Sequence, residues 1–569
     1  MASPVFQWSV QPAGTTPTRY PSVTTDNDGN SYVVFETTST VSGGTSSGSY
    51  DVAVAKLNAS GTIVWMKQLA AMNTPANDLF ASIVCDGKTN LYIAYISRGT
   101  VSGGIANNTG NTDVVVCKMD TDGSIQWINQ SHVMNTPSPE VTQPNIDAIA
   151  IDISGNVYIT YYTYGTVSGG TSTGYVNVVV AKLNSNGNIV WIKETPSINV
   201  GDENILPEIF VDVYGNAYIL YQPYKIITDK YSTVIVKLDV NGNTQWNNEI
   251  NVDTYFHSIV VDNSGNAYIS LSTVDSVSGG TNINGTNDIL LIKYNKDGVK
   301  QWEKQINALA SIENAEELSP KLVIDKNDHL YLTYWSYGTV SNGINTQPNV
   351  SAALVIAKLD KDANIQWIHQ NPDITTAGFS GGNRPCSTAI DTRGNIYITS
   401  HTVVDGLLRS YVVKYAQPGL LYCPPVEAPI LTQSRNTDAS AYLRRKKESL
   451  GQYIRKPTFM DAGLRTSMLA RNAATSHYVS PNTKVAPINP CQTAAIAFTG
   501  SATAKPVFVQ PGCCAVADNA SIAIQGCPMI YEQPSYIESC KVTPYHGTPA
   551  QQSEAGALKC CNDNLETPK

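Results

Sequence analysis

Charge is scarce in this sequence. Asp, Glu, Lys and Arg make up only 15% of its 569 residues, and the net charge is −9. So weak a charge balance argues against a nucleic-acid coat, beyond a local basic patch. Histidine is scarcer still, at seven residues: His132, His257, His329, His369, His401, His477 and His546. None sits in a metal-binding helix motif, and no nucleophile elbow or phosphate loop is present. No catalytic residue, cofactor site or metal site is therefore assigned, and the chain is read as a non-enzyme. No run of 18 apolar residues occurs, so no membrane-spanning helix is expected. The opening MASPVFQWSVQPAG has neither a basic stretch nor an apolar core, and no secretory leader is expected in it.

What is abundant is the chemistry of strands and turns: 42% hydrophobic residues, 31 Tyr, 41 Gly, and many Asn, Thr and Ser. One pattern dominates. DNDGNSY (Asp26–Tyr32) returns as DISGNVY from Asp152, DVYGNAY from Asp212, DNSGNAY from Asp262 and DTRGNIY from Asp391. Degraded copies are DGKTNLY from Asp86 and DKNDHLY from Asp325. A second signature follows each of the first six, as in VAVAKLNASGTIVW ending at Trp65, and closes at Trp127, Trp191, Trp246, Trp302 and Trp367. Self-similarity at such a period marks stacked units.

Each signature is a hairpin. Apolar runs alternate on either side of a turn in which Gly supplies the positive φ and Asp or Asn caps the backbone. Four such strands make a small twisted sheet that cannot bury both faces alone, so neighbours must stack, and radial stacking gives a propeller. The turn Asp residues could be taken for calcium ligands. Their spacing lacks the full acidic loop, and capping is the preferred reading. The repeat Trp residues, at a fixed place in each unit, are read as packing between sheets rather than as a ligand cage. The seventh unit ends at SYVVKYAQPG (Ser410–Gly419) without a Trp strand. Phe6-Gln7-Trp8 supplies one, so Trp8 is the seventh repeat Trp, and the N-terminal strand is expected to pair with Tyr411–Tyr415. Only Trp335 falls outside the register.

The D-x-x-G-N-x-Y and V-x-K-L…G…W pattern resembles the seven-bladed propeller repeats known as SBBP repeats, over residues 1 to about 418. The resemblance implies an all-β, seven-bladed β-propeller and carries no catalytic residues. It implies a place among surface, secreted and structural proteins.

Five units carry a related loop between their hairpins: TVSGGTSSG from Thr40, TVSGGIANN from Thr100, TVSGGTSTG from Thr166, SVSGGTNIN from Ser276 and TVSNGINTQ from Thr339. These loops should share one rim. Two readings compete: a polar recognition surface for a glycan or a protein, and a set of repeated structural turns. The Asn-x-Ser/Thr sequons in this Asn-rich chain are not read as glycosylation sites.

The repeats stop near Cys423. A linker with two short basic helices is expected over residues 420–480, in Thr437–Pro457 and Thr458–Val479, from apolar residues at helical spacing behind Thr and Asp caps. Arg444, Arg445, Lys446 and Lys447 form a candidate contact patch for nucleic acid or an anionic lipid surface, with a solvated face or a contact for an acidic protein neighbour as the preferred reading. The D-A-S…R-R-K-K string, Asp438 to Lys447, resembles short modules of virion-associated proteins of giant nucleocytoplasmic DNA viruses. The second helix departs from it with DAGLRTSM. Residues 481–569 form a Cys-rich tail. Cys423, Cys491, Cys513, Cys514, Cys527, Cys540, Cys560 and Cys561 are candidate disulfide partners, since adjacent Cys-Cys pairs fit zinc poorly and small cores need staples. The apolar stretches between residues 496 and 530 are expected to form short strands.

The expectation is a non-enzymatic structural protein: a propeller closed by its N-terminal strand over residues 1–419, with a small Cys-rich C-terminal region that anchors it in a larger assembly. The leading setting is a virion, with other virion proteins as partners. The alternative is a secreted or cell-surface adhesin with glycans on the loop rim, and a propeller glycoside hydrolase or lyase is more remote.

Overall fold

The computed structural model describes residues 4–417, except 15, 107–111, 136–148, 173–174, 201–202, 226–229, 278–285, 314, 342, 346–351, 376–386 and 405–406, and four strands between residues 495 and 525. The chain divides into two units, Met1–Pro418 and Gly419–Lys569.

The first unit is a seven-bladed β-propeller of antiparallel sheets. The first blade runs Thr18–Thr25, Ser31–Thr37, Asp51–Leu57 and Ile63–Lys67, from channel to periphery. Blades two to six repeat this order, with innermost strands Asp78–Cys85, Ile149–Ile151, Glu203–Val211, Thr254–Val261 and Glu317–Ile324. The seventh blade combines Ser387–Ile390, Ile396–Val404 and Leu407–Ala416 with Val5–Val10 as its outermost strand. That strand pairs from Val5 opposite Ala416 to Val10 opposite Val412.

Antiparallel order sorts the connections by length. The Asp-x-x-Gly-Asn turns and the turns before each Trp strand lie on one face. The long loops after the second and fourth strands lie on the other.

Why the apolar runs are nearly continuous follows from stacking. Second and third strands such as Ser31–Thr37 and Asn177–Leu183 are buried along their whole length, because each sheet has a neighbour on both faces. The cores lie between blades: Tyr158 and Val178 of the third pack with Ile209, Ile219 and Val236 of the fourth. Outermost strands alternate with solvent and are less apolar.

Each turn satisfies itself. Asp26 Oδ1 accepts the N–H groups of Asp28 and Asn30 at 3.0 and 2.9 Å. Its Oδ2 accepts Asn30 Nδ2 at 2.8 Å and the Tyr32 hydroxyl at 2.9 Å. Asp152, Asp212, Asp262 and Asp391 repeat the pattern, and Asp325 does so with His329 in place of Asn. These carboxylates are occupied by their own turns, which is the capping reading.

In the second unit, Ala495–Phe498 pairs with Pro506–Val509 and Cys514–Asp518 with Ser521–Gln525. Among the described residues there is no α-helix. The expected basic helices, with Arg444, Arg445, Lys446 and Lys447, lie outside the described residues. So do Cys423, Cys491, Cys513, Cys527, Cys540, Cys560 and Cys561, and of the Cys514 side chain nothing is described.

Candidate functional site

In a ring of equivalent blades, what recurs is what the fold requires, so a specific site must show as a departure. The recurring parts come first.

All seven repeat Trp residues face a Tyr of their own blade, from Trp8 and Tyr397 at 6.0 Å between ring centroids to Trp127 and Tyr92 at 6.5 Å. The Lys of each third strand lies over that same Tyr, as Lys182 does at 4.7 Å. Five Trp indoles donate to a carbonyl in the next blade's outer turn: Trp65 to Thr121 at 3.1 Å, Trp127 to Ser185 at 3.0 Å, Trp191 to Val240 at 3.1 Å, Trp246 to Lys296 at 3.0 Å and Trp8 to Ala59 at 3.2 Å. The Trp residues therefore join blades. They do not converge on a ligand.

The Val-Ser-Gly-Gly loops are also structural at their base. Gly44 N–H donates to Val41 O at 3.0 Å, and Gly43 has φ 75°, a turn that needs Gly at its third position. A side chain from the end of the outermost strand holds the loop: Gln68 Oε1 accepts Val41 N–H at 2.9 Å, and Gln130, Gln305 and Gln370 do the same for Val101, Val277 and Val340. The second Gly is demanded by this approach, since a Cβ at Gly44 would stand 2.4 Å from Gln68 Cβ. The holding residue lies three positions after each Trp. Sequence reasoning missed it, although the spacing is visible. Gln68, Gln130 and Gln305 also donate to Asp51, Asp113 and Asp288 at the start of the third strand. In the third blade the two groups have exchanged strands: Glu194 holds Val167 N–H at 2.8 Å, and Asn177 stands where the others have Asp.

The innermost strands carry one more recurring feature and, beside it, the departures. Among the described residues, five of these strands bulge with a non-glycine residue in the left-handed region: Tyr20 (φ 48°), Phe80 (54°), Leu206 (52°), Phe256 (47°) and Ser319 (55°). Each costs about 1–2 kcal/mol and persists only where the surroundings fix it. Side chains of neighbouring blades do so. Glu36 accepts Phe80 N–H, and His257 Nε2 donates to Leu206 O at 2.9 Å.

Two residues past the bulge stands a serine in three blades, Ser22, Ser82 and Ser258, and Ser387 takes the equivalent register in the seventh. An innermost strand is a sheet edge with free N–H groups. Ser387 Oγ accepts Val23 N–H at 3.1 Å from the next blade, and Ser258 Oγ accepts Leu322 N–H at 3.2 Å. At this register the fourth blade has Glu208 and the sixth has Lys321. They form a buried ion pair, side chains 5% and 8% exposed, across the face of the fifth blade. Burial and the adjacent Lys321 push His257 down to about 3, so its imidazole is neutral. The pair lines a central cavity of about 300 Å³, otherwise walled largely by apolar residues such as Ile83, Ile209 and Leu322.

The second departure is at the channel mouth, on the loop-bearing face. Arg19 Nε donates to Glu36 Oε2 at 2.7 Å, and the guanidinium lies 3.6 Å from the Tyr50 ring centroid. The registers equivalent to Arg19 hold Leu79, Ile205, Tyr255 and Leu318 in the other described blades. Burial pushes the Glu36 carboxyl up to about 7, opposed by Phe80 N–H and Arg19. Among the described residues no group of three His, Cys, Asp or Glu side chains gathers to hold a metal.

No family model matches the sequence, and no curated protein matches it. Solved structures do. A hydrazine synthase of Kuenenia stuttgartiensis is similar at 11% identity and a TM-score of 0.40, over 70% of this chain and 96% of that one. A protein of unknown function from Dyadobacter fermentans is similar at 10% and 0.38, over 73% and 97%. A Trypanosoma rangeli sialidase is similar at 9% and 0.33, over 88% and 69%.

Proposed function

We propose that this chain is a non-enzymatic binding platform, in which the ring is scaffold and the channel mouth with its loop-bearing face is the contact surface for a protein or a glycan. The observation that carries this is the placement of the departures. Arg19 and the Glu208–Lys321 pair lie on innermost strands, with Glu36 facing Arg19 from the second strand of the first blade, whereas the Trp, Tyr, Lys and Asp residues of the repeat serve the ring itself. The non-enzymatic reading is supported by the use of the repeat carboxylates as turn caps and by the neutralisation of the channel carboxylate Glu208 by Lys321.

The platform works within a larger assembly. A virus particle is the setting that the Asp438–Lys447 resemblance brings forward. Quantitative mass spectrometry of purified particles, with surface crosslinking of the intact chain, tests both halves. Crosslinks that concentrate on the loop-bearing face support the platform. Crosslinks confined to the turn-bearing face overturn it, and absence from the particle removes the virion setting.

A further inference from the structure

The Arg19 side chain is built as a recognition group. Its fork is oriented on two sides, by Glu36 at Nε and by the Tyr50 ring beneath, yet among the described residues its terminal nitrogens take up no hydrogen bond. The side chain is 24% exposed. A guanidinium held in this way offers two parallel N–H donors to a carboxylate at little cost in rotamer freedom. In a chain of net charge −9, such a cation at the mouth of the channel stands out.

Beside it two aromatic side chains are held out of ordinary backbone conformation. Tyr20 and Phe80 take left-handed φ, and their rings meet at 5.4 Å between centroids with 44° between planes. Tyr20 also stands 5.2 Å from the guanidinium and edge-on to the His401 ring at 6.3 Å. All three tyrosyl and phenyl rings, Tyr20, Tyr50 and Phe80, are partly exposed. The left-handed bulge itself recurs in five blades, but here it sets two partly exposed aromatic rings against each other beside the guanidinium. The loops of this face are rich in Ser, Thr and Asn and carry few charges, which suits hydroxyl groups better than a charged peptide.

We propose that Arg19, Tyr20, Tyr50 and Phe80 form a binding site for a carboxylate-bearing sugar, with the carboxylate on the open edge of Arg19 and the C–H face of the ring against Tyr20 and Phe80. This rests on the platform reading, of which it names the ligand class. Nothing in the repeat requires these residues together. Of the five described registers, only the first blade has both the cation and the carboxylate that orients it.

Titration calorimetry of the full chain with tri-galacturonate and with its methyl ester tests the site, with an acidic peptide as a third probe. The acid is expected to bind at least about tenfold tighter than the ester, the equivalent of about 1.4 kcal/mol. Arg19→Lys keeps a charge for Glu36 but lacks the fork, and is expected to abolish that preference while the thermal melt stays within a few degrees. Tyr20→Leu is expected to weaken acid and ester alike. Equal binding of acid and ester, or an unchanged preference in Arg19→Lys, overturns the sugar-acid site and leaves the platform standing. Binding of the peptide alone overturns the site in favour of a protein partner. Silence of all three probes counts against site and platform together.

Discussion

Trp8 lies flat against Gly61. A Cβ at Gly61 would stand 2.7 Å from Trp8 Cδ2, and the glycine holds φ 84°. The same contact recurs between Trp127 and Gly187 and between Trp246 and Gly298. A residue near one end of the propeller thus does in the seventh blade what internal Trp residues do in theirs. Gly61→Ala combines left-handed strain with a clash against a rigid ring, and about 2–4 kcal/mol of destabilisation is expected. Gly14→Ala is the control. Gly14 has φ 60° with no atom within 4 Å, so strain alone of about 1 kcal/mol applies. Denaturant melts of the two variants should separate clearly.

Removal of residues 1–12 takes away the fourth strand of the seventh blade and the Trp8 indole. Trp8 is half-buried, so its loss costs part of the about 3–5 kcal/mol of a fully buried Trp. It also uncovers Leu407–Ala416 as an edge. A large fall in melting temperature and concentration-dependent association are expected. An unchanged melt would show that the strand does no work in the ring.

The Glu208–Lys321 pair stands at a register that holds Ser in four other blades. Lys321→Ser alone leaves a buried carboxylate without its partner, at a cost of about 3–5 kcal/mol. Replacing both by Ser gives the residue found there in four other blades and is expected to cost about 1 kcal/mol or less. A thermodynamic cycle over the four proteins measures the coupling. Additive effects would refute a paired role.

The exchanged groups of the third blade predict another coupled pair. Asn177→Asp alone puts two carboxyls at one buried junction, with about 2 kcal/mol of destabilisation expected. Asn177→Asp with Glu194→Gln reproduces the arrangement of Asp51 and Gln68 and should recover most of it. The check is the difference in unfolding midpoint between single and double variants.

Asp288 of the fifth blade and Glu317 of the sixth are hydrogen-bonded to each other within the ring. Burial pushes Glu317 up to about 9 from its ordinary 4.5, and burial raises Asp288 as well. Between those values the folded chain keeps a proton that the unfolded chain has released. This contribution to stability is full below about 4.5 and is lost as pH rises toward about 9. Asp78, pushed up to about 7 by burial, acts in the same direction over a lower range. Glu317→Gln keeps a donor for Asp288 without ionising. It should flatten the decline in melting temperature on the alkaline side, and a slope equal to that of the parent would count against the shared proton.

Much of the ring was legible because its signals are local. The Asp-x-x-Gly-Asn turns declare themselves within five residues, and the Trp strands follow within one hairpin. The blade-to-blade contacts were harder. That Gln68 grips Val41, or that Ser387 caps Val23 N–H, depends on residues brought together from far apart, and neither Gln nor Ser is unusual where it stands. Both positions were nevertheless readable once aligned on the repeat: three after the Trp, four before the turn Asp. The left-handed bulges at Tyr20 and Phe80 had no such signal, because large aromatic residues argue against that conformation. The Val-Ser-Gly-Gly loops looked equally suited to recognition and to turns, and the Gln grip assigns their base to turns.

Val5 stands opposite Ala416, and the two strands run antiparallel from there. The chain entering the ring and the chain leaving it therefore pass through one point. Tension applied through both segments would draw the register pairs apart one after another, from Val5 inward, instead of loading them all at once in shear. The pairing of Val5–Val10 with Val412–Ala416 is therefore arranged to peel. A modest pull in the right direction would open the circle at that seam before any blade unfolded.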